Sequence, residues 1–211
     1  MKNPLRYQLT EYDCGPTSMI NAVSFLFERE EIPPEILRNI TLYCLDCYDA
    51  DGSFGKSGTS CTAMKFLSNW LNSFGNTGRL PVSCLYLSGE EVRIDGESEI
   101  VCALHRGEAV VVRLYFDVDH YVLLTGERDG KILMFDPYYT DKPFEQKDIG
   151  IVLDFPKWYN RIVPVRYLDS EENEIYSLGK AESREAVILS DKRKANLTDS
   201  TSEIVRLPSL I

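Results

Sequence analysis

The sequence predicts an α+β protein in which N-terminal helices pack on an antiparallel β-sheet. Two observations carry this reading. Up to residue 75, apolar side chains recur at the three- and four-residue spacing of helices with one buried face. Beyond Pro81 the pattern changes to alternation and to apolar runs rich in Val, Tyr and Phe, which suit strands. Helices first and strands second is the order of an α+β chain.

Composition bounds the rest. The 211 residues, 44% hydrophobic and 27% charged, suit one domain or one domain with an extension. A net charge of −10 argues against a nucleic-acid partner or an anionic membrane surface. The N-terminal stretch lacks the apolar core of a signal peptide, and no run approaches 18 apolar residues. These features predict a cytoplasmic protein with no membrane span, whose six cysteines are thiols.

Residues 1–7 read as extended and lead into Gln8. The first helix opens at Gly15-Pro16, where proline's missing N–H costs nothing, and runs to about Arg29. Met19, Ile20, Val23, Leu26 and Phe27 form its apolar face. Cys14 then stands at the positive end of the helix dipole, where unpaired N–H groups favour a thiolate. Gly15 keeps bulk away from the sulfur. Pro34 opens a second helix, with Ile36, Leu37, Ile40 and Tyr43 as its stripe and its end near Cys44. The lone Cys44-Leu45-Asp46-Cys47 has no second cysteine pair and no nearby histidine, so it reads as structural. Residues 48–60 read as a surface loop near the cleft. A calcium site there is rejected, because the required glycine and glutamate are misplaced. Thr59-Ser60 caps a third helix striped by Ala63, Phe66, Leu67, Trp70, Leu71 and Phe74, and Gly75 ends it.

Val82, Cys84 and Tyr86 alternate with small or polar residues and read as a strand. Residues 99–104 read as a short helix with His105, in a structural role, at its C-terminal end. Residues 109–116 form a buried strand. Two more strands, 119–126 and 131–137, are joined through a three-residue loop at Arg128-Asp129-Gly130. Paired residue numbers then sum to 258, so His120 opposes Tyr138 and Asp136 opposes Val122. His120 and Asp136 become diagonal neighbours on one face. An even loop would put them on opposite faces, so the reading requires an odd loop or a bulge. The last sheet strand falls near 161–167. Beyond it, residues 175–178 and 186–189 are candidate short strands, and 169–211 holds no catalytic motif.

Gln8-x5-Cys14-Gly15-Pro16-Thr17-Ser18 followed by an apolar helix resembles the start of the C39-like cysteine peptidases of the papain-like superfamily. The run from His120 through Thr125-Gly126, a glycine-containing turn and then Phe135-Asp136-Pro137, resembles that family's His and Asp segments. The resemblance covers roughly residues 5 to 168. It implies a papain-like cysteine peptidase fold over 1–168, with 169–211 as a C-terminal extension packed on or next to that catalytic domain. It also implies a Cys14–His120–Asp136 triad, with the Gln8 side chain and the Cys14 N–H as oxyanion donors. The expected activity is cleavage of a peptide or amide bond through an acyl-enzyme, without metal or cofactor. The alternatives are an acyltransferase or amidase acting on a small molecule with the same triad, or a catalytically silent binding module.

Overall fold

Residues 1–195 are described by the computed structural model. Three helices come first: α1 (Cys14–Leu26), α2 (Pro34–Cys44) and α3 (Cys61–Gly75). α1 stops earlier than its apolar spacing predicts. Phe27 is extended, and the Glu31 carboxylate accepts from the Glu28 N–H at 2.9 Å, which closes a tight turn instead of another helical one. α3 is capped by the Ser60 hydroxyl, which accepts from the Ala63 N–H at 3.1 Å.

The strands are β1 (Val82–Ser88), β2 (Ala109–Phe116), β3 (Val118–Arg128), β4 (Lys131–Phe135), β5 (Gly150–Ile151), β6 (Arg161–Pro164) and β7 (Glu185–Asp191). They form one antiparallel sheet in the order β1-β7-β2-β3-β4-β6-β5. A fourth helix, α4 (Glu99–His105), precedes β2. Side chains alternate between the two faces of the sheet. Val111, Tyr121, Leu123, Val187 and Leu189 face α1, α2 and α3. Val110, Val112, Val122, Leu124, Ala186 and Ile188 face α4 and the segment holding Leu168, Tyr176 and Leu178. Both faces are covered, which is why β2 and β7 read as continuous apolar runs.

The division of the chain at residue 168 is revised by this topology. Residues 185–191, expected in an extension beside the domain, are β7, inserted between β1 and β2. A unit ending at 168 would leave β1 without its sheet neighbour. Of the predicted short strands, 186–189 lies within β7. Residues 175–178 form no strand, although Tyr176 N–H donates to the Tyr115 carbonyl and Tyr115 N–H to that of Ser177. Residues 196–211 of the predicted extension lie outside the described residues.

The hairpin also differs in detail. β3 and β4 are joined by two residues, Asp129 and Gly130, both with positive φ (53° and 72°), as in a type I′ turn. Near the turn, pairs such as Glu127↔Ile132 sum to 259. A bulge between Leu124 and Gly126 then restores 258 at Leu124↔Met134 and Leu123↔Phe135. The extra residue, Thr125, donates its hydroxyl to the Leu133 carbonyl at 3.2 Å. The bulge thus supplies the parity that the sequence argument required.

One charge is buried on the α1 side. Glu185 is 2% exposed and accepts from the hydroxyls of Tyr86 and Tyr121, with Arg113 Nε 3.6 Å away. Burial and the Glu185 charge push both phenols up. No helix among the described residues is long and apolar enough to cross a membrane.

Candidate active site

Cys14 is the first residue of α1, a helix buried on nearly every side. Its N-terminal turn is built by Asp13. That carboxylate accepts from the N–H of Leu9 at 3.0 Å, and from the N–H and hydroxyl of Thr10 at 2.6 Å each. Burial alone would raise the Asp13 carboxyl, but these hydrogen bonds outweigh it and hold the group below its usual range. Two further ties fix α1. The Asn21 side chain exchanges hydrogen bonds with the backbone of Arg6 at 2.8 Å each way, and Ser18 Oγ donates to the Tyr121 carbonyl at 2.9 Å. The second tie joins the Cys14 helix to the residue after His120.

His120 lies near the start of β3, 5% exposed, with its ring 5.5 Å from that of Phe116. Its Nε2 donates to Asp136 Oδ1 at 2.7 Å. Cys14, from the start of α1, acts on the same ring and helps to raise the imidazole. Burial on its own would lower the imidazole. The charge and hydrogen bond of Asp136, then Cys14, more than offset it and carry His120 up to about 10.

Asp136 is fully buried. Its backbone is locked to Asn160, whose Oδ1 accepts from the Asp136 N–H and whose Nδ2 donates to the Asp136 carbonyl, both at 2.7 Å. Oδ1 also accepts from the Tyr138 N–H at 2.8 Å, and Oδ2 accepts from the Tyr176 hydroxyl at 2.7 Å. Burial would raise this carboxyl. The His120 charge, the hydrogen bonds from His120 and Tyr176, and the Arg161 charge together hold it low. Arg161 is itself fully buried, and donates to the carbonyls of Asn160 at 2.8 Å and of Tyr138 and Thr140 at 3.3 Å.

Gln8 is tethered to the same corner, because its N–H donates to the Pro137 carbonyl at 2.9 Å. Its side chain does not point freely into a cleft. Nε2 donates to the Thr10 carbonyl at 2.8 Å, while the buried Oε1 has no partner. An amide nitrogen carries two hydrogens, so one N–H is left over. Gly15 has another purpose than sparing the sulfur. A Cβ there would lie 2.3 Å from Thr59 Oγ1, so the glycine lets the α3 cap pack against α1.

The structure therefore brings Cys14, His120 and Asp136 together from three elements, with Gln8 on the adjoining backbone. Asn160, Arg161 and Tyr176 are residues that sequence reasoning missed. His105 stands apart and pairs with Glu127 at 2.9 Å. All six cysteines are free thiols, and Cys44, completely buried, is pushed up by burial. Among the described residues no group of three or more His, Cys, Asp or Glu side chains is set to hold a metal ion. The Asp49 carboxylate, on the loop considered for calcium, accepts from the N–H groups of Asp51 and Ser53. No protein-family model and no curated protein matches the chain.

Proposed function

We propose that this chain is a papain-like, C39-like cysteine peptidase that cleaves a peptide or amide bond through a Cys14 acyl-enzyme. One observation carries the reading. A cysteine at the start of a buried helix is close enough to raise a histidine that is itself paired at 2.7 Å with a buried aspartate. A structural cysteine has no need of such partners, and a nucleophile does.

The geometry supports the following chemistry. The Cys14 thiol gives its proton to His120, and the charge of Asp136 stabilises the imidazolium. The thiolate attacks the substrate carbonyl carbon, and the oxygen takes the negative charge. Donors for that oxyanion are the Cys14 backbone N–H, unpaired at the helix start, and the second N–H of Gln8 Nε2. His120 returns its proton to the departing amine as the C–N bond breaks. It then takes a proton from water, whose oxygen attacks the thioester and releases the acid and the thiol. Cys14 and His120 are 7% and 5% exposed, so neighbouring side chains must move before a substrate reaches the sulfur.

The test is an unbiased peptide library profiled with wild type and Cys14→Ala, alongside labelling by an epoxide probe selective for activated cysteines. Cleavage and Cys14 labelling by the wild type alone are expected. A wild type that neither cleaves nor labels at neutral pH would sink the peptidase reading. Acyl-enzyme that turns over only with an added amine would redirect it to acyl transfer.

A further inference from the structure

We propose that Tyr176 is a positioning residue for the Cys14–His120–Asp136 constellation, contributed by the segment between β6 and β7. The proposal rests on the triad reading above and adds a fourth member to it. Tyr176 is completely buried and its hydroxyl lies 2.7 Å from Asp136 Oδ2. The direction of that bond is fixed. A carboxylate only accepts, so the phenolic hydrogen is committed to Asp136.

The backbone supports a dedicated role. Tyr176 has φ 61°, in the left-handed region where a bulky residue is strained. Glycine would remove that strain but would carry neither ring nor hydroxyl. The ring packs 5.6 Å from both Phe116 and Phe144, and Phe116 in turn lies against His120. The Tyr176 and Ser177 backbone is bonded to Tyr115 in β2. The strained residue is thus held by a strand and an aromatic cluster, with its hydroxyl aimed at the second oxygen of the aspartate. Asp136 has His120 on one side from β3, with Cys14 of α1 behind it. It has Arg161 from β6 and Tyr176 on the other. Tyr176 is the neighbour that hydrogen-bonds Oδ2, while the His120 nitrogen takes Oδ1.

The test is the pH profile of Cys14 alkylation by iodoacetamide, read by mass spectrometry on the Cys14 peptide, in the full chain. Wild type should stay reactive down to an acid limb, where the ion pair is lost. Tyr176→Phe keeps the ring but removes the donor, so Asp136 takes a proton more readily. The acid limb should move up by about one pH unit, since hydrogen bonds to charged groups are worth about that much. Tyr159→Phe is the control. It deletes another buried hydroxyl, one without a partner, and should leave the profile in place. If Tyr176→Phe lowers the melting temperature markedly, 3-fluorotyrosine at 176 decides. It is a stronger donor of nearly the same shape and should move the limb down. Superimposable profiles for wild type, Tyr176→Phe and the fluorinated protein would overturn the positioning role while leaving the triad standing. A wild-type profile of an ordinary thiol, with reactivity rising only towards pH 8.5, would overturn the triad and the positioning role with it.

Discussion

Replacing Gly15 with alanine tests whether the Cys14 helix is held by close packing against α3. The Gly15 backbone accepts any residue, so the effect is steric alone. A methyl group would meet Thr59 Oγ1 at 2.3 Å, Thr59 Cβ at 2.8 Å and Met64 Cε at 3.3 Å. Ordinary carbon contacts lie near 3.5–4.0 Å, so Thr59 must withdraw by about 1 Å. Its withdrawal strains the Ser60 cap, because Ser60 is also held by Asp46 through its N–H at 2.9 Å. Overpacking of this kind costs about 1–3 kcal/mol, and the gain from alanine in a helix offsets up to about 1 kcal/mol of it. The expected net loss is about 1–2 kcal/mol, or roughly 2–8 °C in melting temperature for a chain of this size. Urea unfolding of Gly15→Ala, Thr59→Gly and the double variant would measure it. Thr59→Gly removes both close atoms, so the double variant should be more stable than the single losses summed, by at least about 0.5 kcal/mol. Strict additivity, or a Gly15→Ala protein as stable as wild type, would refute the packing argument.

Three other expectations can be checked alongside it. Gln8→Ala should lower turnover by about 10²–10³-fold with little change in melting temperature, as for loss of an oxyanion donor. Intact turnover with a lowered melting temperature would instead make Gln8 a loop staple acting through Thr10. His120 has a folded-state value raised to about 10, so its stabilising contribution is complete below about pH 6.5 and is lost as pH rises towards 10. The stability gap between wild type and His120→Ala, measured by denaturant titration, should therefore narrow from pH 7 to pH 10. Glu185→Ala strands two buried phenols and Arg113 without their acceptor and should cost about 3–5 kcal/mol in urea unfolding. A loss below about 1 kcal/mol would mean water replaces the carboxylate.

How much was legible in the chain depended on how local the cause is. Pro34 and the stripe from Ile36 to Tyr43 fixed α2, and the unbroken run from Ala109 to Phe116 gave β2 its bounds. The meeting of His120 with Asp136 was accessible through strand parity, but its mechanism was not. Asp129-Gly130 makes a tighter turn than predicted, and Thr125 compensates as a bulge. A threonine in an apolar strand looks like any other pleat position, so no periodicity could mark it. Ala186 to Leu189 read as a strand, yet its partners lie 74 residues or more away in β1 and β2, and pairing over that distance leaves no local trace. Tyr176 gave least warning of all. Its role depends on a positive φ and on an aspartate from another element, and neither is written in its neighbours.

The place of β7 has a consequence for how the protein is made. A ribosome delivers the chain from its N-terminus, and β1 and β2 emerge well before the strand that joins them. Until residues 185–191 appear, β1 has no sheet neighbour, and Tyr121, beside His120, lacks the carboxylate that receives its hydroxyl. Tyr176 is made equally late. The nascent chain therefore carries Cys14 from the start but cannot assemble the surroundings of that thiol until synthesis has passed all seven strands. Late closure of distant strand pairs is slow, so the chain should gain its fold in a single late step. On the proposed function, strand order alone holds such a chain inactive during its own translation.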